Sequence, residues 1–90
     1  MREFIKTAQM WQRKAMLKRK ADVEVNTTHF GGKTGVKVSA FLRDEKGELV
    51  RDESGELVCK IALLYYYDEE QDCRDNFAAV GDFLTNHKAI

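Results

Sequence analysis

The chain has 90 residues, 15 of them basic and 15 acidic, with a formal net charge of zero. That length predicts a single domain over residues 1–90 with one modest core, and the apolar content of 43% excludes global disorder. No apolar run reaches the roughly 20 residues that a membrane helix needs, so no membrane partner is expected.

Residues 2–19 read as a helix. Phe4, Ala8, Trp11 and Ala15 recur at helical spacing, with Met1, Ile5 and Met16 beside them. On the back of that helix, Met10 and Leu17 fall among Arg2, Lys6 and Arg13. Residues 21–30 alternate between Val23, Val25, Thr27 and Asp22, Glu24, Asn26, the pattern of a half-buried strand. Gly31-Gly32-Lys33-Thr34-Gly35 reads as a glycine-rich turn. Val36, Val38, Ala40 and Leu42 then mark a second strand.

Two consecutive octads follow, Arg43–Val50 and Arg51–Val58, which differ only at Lys46 and Ser54. Asp44–Gly47 and Asp52–Gly55 each suit a type I turn, with Asp first and Gly last. Between them, Glu48–Arg51 has room for a strand of only about four residues. The alternative is that one octad is an extra copy that loops out, since a single copy already closes a hairpin. Residues 57–67 are apolar on both phases, which predicts a central strand. The acidic run from Asp68 opens a last helix over roughly 70–87, with Cys73, Phe77, Val80, Phe83 and Leu84 on its buried side.

The predicted fold is therefore α+β. Its order is α-β-β-(β)-β-α, an antiparallel sheet of three to four strands with both helices on one face. Double-stranded RNA-binding domains share that order. They grip phosphate with lysines at the start of the last helix, where this chain carries Asp68-Glu69-Glu70-Gln71-Asp72, so that function is excluded.

No constellation of catalytic residues stands out, and an enzyme is not expected. Gly32-Lys33-Thr34 imitates the end of a phosphate-binding loop, but Thr27 stands where the first glycine belongs and a strand follows instead of a helix. His29, Cys59, Cys73 and His87 lack the close pairing of a zinc site, so neither metal nor cofactor is predicted, and His87 reads as a partly buried edge residue. Both cysteines read as structural thiols. Two cysteines, with no apolar leader, suit a reduced cytoplasmic protein.

Charge is segregated along the chain. Residues 1–20 hold seven Lys/Arg against Glu3 alone, whereas residues 68–90 hold six acids against Arg74 and Lys88. Such a dipole can steer a partner. The leading expectation is a non-catalytic protein-binding module. Small neutral proteins of phages and mobile elements that inhibit a host enzyme or defence complex by covering a surface are of this type. Its interface would combine Glu69, Glu70 and Asp72 with Phe41, Leu64 and Tyr66, on the assumption that Val36, Val38, Ala40, Ile61, Leu63 and Tyr65 face the helices. The alternative is a nucleic-acid-binding accessory protein that uses Arg2, Lys6, Arg13 and Lys14 on the helix, or Lys37 and Lys60 on an aromatic and basic sheet face. A structural homo-oligomer, down to a homodimer through that face, is the third.

Overall fold

A computed structural model describes residues 2–90. Helix α1 (Arg2–Lys18) leads into strands β1 (Ala21–Phe30), β2 (Lys33–Leu42) and β3 (Cys59–Tyr65), and helix α2 (Glu70–Asn86) follows. The strands form one antiparallel sheet in the order β1-β2-β3. Helix α1 lies over β1 and α2 over β3, reaching β2, on the same face. This is the α+β arrangement expected from the sequence. Met1, placed by periodicity beside the helix stripe, lies outside the described residues.

The core follows from strand alternation. Ala21 and Val23 from β1, Val36, Val38 and Ala40 from β2, and Ala62 and Leu64 from β3 point at the helices and are buried. Ala8 and Ala15 of α1, and Cys73, Phe77, Val80 and Leu84 of α2, close over them. Phe83 packs at the margin, and Met16 is exposed instead of joining its stripe. The helices meet through aromatic rings. Trp11 and Phe77 make an edge-to-face contact with centroids 4.4 Å apart, and Phe4 stands 4.9 Å from Phe77. A Cβ at Gly81 would come within 2.9 Å of the Trp11 ring, so the indole sits where only hydrogen leaves room.

The glycine-rich turn is shorter than its composition suggested. Only Gly31 and Gly32 lie between the strands, with φ of 56° and 77°. Positive φ at both positions is the two-residue hairpin turn whose twist matches the flanking strands. Gly35 is already inside β2. A Cβ there would lie 2.1 Å from the Leu64 carbonyl oxygen. Replacing Gly35 with alanine must push β3 away from β2. Gly35→Ala is expected to lower stability by about 1–3 kcal/mol, as read by urea unfolding.

Of the two readings of the octads the meander strand fails, and the segment is a loop, though an ordered one. There is no meander strand over Glu48–Arg51, only the single bridges Arg43↔Leu49 and Arg51↔Leu57. Nor is either copy shapeless, because each octad closes on itself with the same bonds. The Asp44 amide donates to the Glu48 carbonyl at 2.8 Å, and Asp44 Oδ1 accepts the amides of Lys46 and Glu48 at 2.9 and 3.0 Å. Asp52 repeats this with Glu56 and Ser54 at 2.8, 2.9 and 3.0 Å. The Arg43 and Arg51 guanidinium groups donate to the carbonyls of Gly47 and Gly55 respectively. At the one position where the copies differ, the Ser54 hydroxyl also donates to Asp52 Oδ1, at 2.7 Å, and holds that carboxyl below its usual range.

The octads join the sheet through a closed ring. The Leu42 amide donates to Val58 at 3.2 Å, the Val58 amide to Val50 at 3.0 Å, and the Val50 amide to Leu42 at 3.0 Å. Removing residues 51–58 would let Val50 take the place of Val58 and turn the ring into an ordinary two-residue ladder pair. The deletion variant is therefore expected to keep the fold. Its amide NMR spectrum should retain the β1, β2 and helix resonances, and its unfolding free energy should change by no more than about 1 kcal/mol, the scale set by shortening a closed loop.

Candidate functional site

The sequence-predicted site residues fall on three separate surfaces. The most built of these is the end of the molecule where both helices begin. Phe4 lies against Phe77 and Trp11 against Phe77 and Gly81, so α1 and α2 run side by side in the same direction. Their N-termini share one end. A cleft of about 190 Å³ opens there, lined by Glu3 and Phe4 from α1, Tyr65, Tyr66 and Asp68 from the turn after β3, and Glu70, Cys73 and Arg74 from α2.

Local sequence explains the arrangement. Asp68, whose amide bonds to the Tyr65 carbonyl at 3.1 Å, closes the turn out of β3. Glu69 stands at the N-cap of α2 without a side-chain cap bond. The acids Glu70 and Asp72 in the first turn suit the positive end of the helix dipole, and Glu3 does the same for α1. Arg74 Nη2 donates to Glu70 Oε1 at 2.8 Å, one helical turn away. That bond holds the Glu70 carboxyl below its usual range. The pair is exposed, so it contributes little to stability.

Glu69, Glu70, Asp72 and Tyr66 therefore come together at this end, all exposed. Tyr67 joins them and is 73% exposed. Phe41 and Leu64 do not. Leu64 pairs with Val36 on the helix side and has no exposed surface, so it cannot contact a partner. Phe41 lies on the opposite, open face of the sheet, across from Cys59 and half-buried.

The open face itself differs from expectation by one residue. Pairing Lys37 with Leu63, Ser39 with Ile61 and Phe41 with Cys59 turns Ile61 and Leu63 outward, 43% and 42% exposed. Tyr65 shares this phase, opposite Gly35. Lys60 pairs with Ala40 and so belongs to the helix side, where it is exposed beside the sheet. Lys37 and Phe41 keep their predicted places on the open face. A one-residue change of phase moves every side chain of a strand to the other side, which accounts for Leu64, Lys60, Ile61 and Leu63 together.

Strand β3 is also an edge strand, not a central one. Its apolar character on both phases follows from having one face under α2 and the other in the Ile61–Leu63 stripe. On α1, Arg2, Lys6, Arg13 and Lys14 are exposed with Met10 and Leu17, the last at 83%.

The chemistry available is limited. Cys73 is buried below the acidic end, 3.7 Å from the Tyr65 carbonyl. Burial first, then Asp68 and Asp72, push its thiol up and away from the reactive thiolate. His29 stands at the hairpin tip with its Nδ1 2.8 Å from the Thr34 hydroxyl. His87, read as partly buried, is exposed, with its ring 4.7 Å from Phe83. Among the described residues no group of three His, Cys, Asp or Glu side chains is placed to hold a metal ion, and no helix is long and apolar enough to cross a membrane. Comparison with known proteins adds nothing to this picture, since no family, curated protein or solved structure matches the chain.

The two thiols are distinguishable by experiment. At neutral pH a disulfide reagent is expected to modify half-buried Cys59 first, and Cys73 at least roughly tenfold more slowly until the protein is unfolded. Equal rates in the native protein would show that Cys73 is not shielded as described.

Proposed function

We propose that this chain is a non-catalytic protein-binding module that presents its acidic, tyrosine-rich end to a basic surface of another protein. The observation that carries this reading is the convergence of two helix starts at one end. Glu3, Asp68 and Glu70 line a cleft with Tyr65 and Tyr66, exposed Glu69, Asp72 and Tyr67 adjoin them in the chain, and Arg74 is the only cation among the described lining residues. Tyrosines at such a site supply apolar contact with a polar tip, while the carboxylates steer and orient the partner.

The partner surface with the matching chemistry is one that ordinarily holds nucleic acid, because it is basic and shaped for an extended anionic chain. Covering it would block that use. In this reading the protein belongs with the small inhibitors of host enzymes or defence complexes that phages and mobile elements carry. It works in a reducing cytoplasm, where Cys59 and Cys73 stay free thiols.

The test is capture of the tagged protein's partner from host lysate after nuclease treatment, followed by titration of that partner. Glu69→Lys, Glu70→Lys and Asp72→Lys together are expected to weaken binding at least severalfold, with more loss at low salt than at high. These side chains are exposed, so the circular dichroism of the triple variant should match the parent. Unchanged affinity in the triple variant rules out this end as the interface.

A further inference from the structure

The outer flank of α1 carries cations that the fold does not use. Arg2, Lys6, Gln9 and Arg13 recur at i, i+4, i+7 and i+11, so they form one straight row along the helix. Every member of the row is exposed. It lies on the side of α1 opposite Trp11, whose ring meets Phe77 and Gly81 of α2. Among the described residues the ion pairs are Arg43 with Asp22 and Arg74 with Glu70, so the cations of the row stand without a carboxylate. Glu3 is the only acid on α1, about 100° round the helix from Arg2 and on the α2 side.

Strand β1 continues this flank without opposing its charge. Gln12 Nε2 donates to the Val23 carbonyl at 2.9 Å, and Ile5 and Gln9 lie beside Val25 and Thr27, so the strand runs antiparallel to the helix. Its alternation keeps Val23, Val25 and Thr27 on the helix side and sends Asp22 and Glu24 to the open face of the sheet. Asp22 is taken by Arg43, and Glu24 pairs with no member of the row.

We infer that this flank docks double-stranded DNA by its phosphate backbone. The inference goes beyond the acidic-end reading and does not rest on it. Charge complementarity carries it. From Arg2 to Arg13 the row spans roughly 16 Å of helix axis. One strand of a duplex offers a phosphate every ~3.4 Å along its axis, so each long cationic side chain has a phosphate in reach whatever the base sequence. Contacts of this kind position a protein without reading bases.

The surroundings select the duplex over other anions. Single strands are gripped by cations together with stacking rings, and α1 turns Phe4 and Trp11 inward against Phe77. A flat anionic membrane would also press on the crest of α2, where exposed Asp75 and Asp82 stand opposite the buried stripe. A rod lying along the outer flank of α1 stays clear of that crest. Duplex RNA is held across two successive minor grooves and the phosphates between them, whereas one row supplies a single contact. An acidic protein would call for apolar anchors at the centre of the contact, and the centre of this row is Gln9.

Fluorescence anisotropy of a labelled DNA duplex of about 20 base pairs, titrated with the whole chain over a range of salt, reads the contact. Binding is expected at micromolar concentration in about 50 mM salt, with a log–log salt slope of about −2 to −3, the value for three phosphates. Arg2→Gln, Lys6→Gln and Arg13→Gln together are expected to weaken it at least tenfold and to flatten the slope to less than about −1, with native circular dichroism. A control removes the same charge elsewhere: Lys46→Gln, Lys60→Gln and Lys88→Gln together are expected to change affinity by less than about threefold. No binding up to about 1 mM protein in about 50 mM salt overturns the inference. So does an equal loss in the two triple variants, which would make the effect one of net charge alone. Tighter binding of the single strand or of an RNA duplex of the same length, or displacement of the DNA by an equal charge of poly-glutamate, overturns the choice of occupant.

Discussion

The arrangement of this protein depends on the register between β2 and β3, which opens at the backbone bond from the Leu42 amide to the Val58 carbonyl. Leu42, Val50 and Val58 close a ring in which each amide finds the carbonyl of another member. Because Leu42 is thereby set opposite Val58, Val36 meets Leu64 and Val38 meets Ala62. Leu64 then enters the core and Ile61 turns outward. A slip by one residue would bury Ile61 and Leu63 instead, two side chains at least as large. Apolar burial alone does not separate the two registers, at roughly 1.5–3 kcal/mol for each large side chain. Backbone pairing does. The alternative register would misalign the ring, and it would shift the close contact in which Gly35 accommodates the Leu64 carbonyl.

This explains where the sequence was legible. Helices α1 and α2 and strand β1 declare themselves through patterns with one apolar face, and their observed bounds lie within a residue or so of the expected ones. Strand β3 has no such pattern. Ile61 and Leu63 compete with Ala62 and Leu64 on equal terms, so alternation gives no phase, and the same ambiguity suggested a central strand. Alternation alone therefore points Leu64 and Lys60 to the wrong face. A usable signal was nonetheless present. Phe41-Leu42-Arg43-Asp44 is echoed by Leu49-Val50-Arg51-Asp52, and Leu57-Val58 begins a third echo. Read as equivalent positions, Leu42, Val50 and Val58 come into line, and the phase of β3 follows by counting.

The repeat therefore has a structural role that is neither strand nor slack loop. Each copy satisfies its own backbone through an aspartate and an arginine, then hands one valine to the ring. The first copy is further tied to β1, because the Arg43 guanidinium also donates to Asp22, through Nε at 2.9 Å, and the Arg43 amide to the Lys20 carbonyl. Arg51 has no such carboxylate partner in the structure and serves its own turn alone. Two sequences that are nearly identical thus differ in what they hold. The first anchors the sheet margin, and the second extends the ring by one member.

Charge segregation along the chain acquires a spatial meaning from the parallel run of α1 and α2. Both helices present unpaired amides at one end, and the acids Glu3, Glu69, Glu70 and Asp72 gather there. Both present carbonyls at the other, where Lys18 donates to the Ile90 carbonyl at 3.0 Å and Arg19 and Lys20 follow. Each pair of helix ends thus carries charges of the sense its dipole favours, while Asp44 and Glu45 of the first octad stand beside Lys18, Arg19 and Lys20 and offset them.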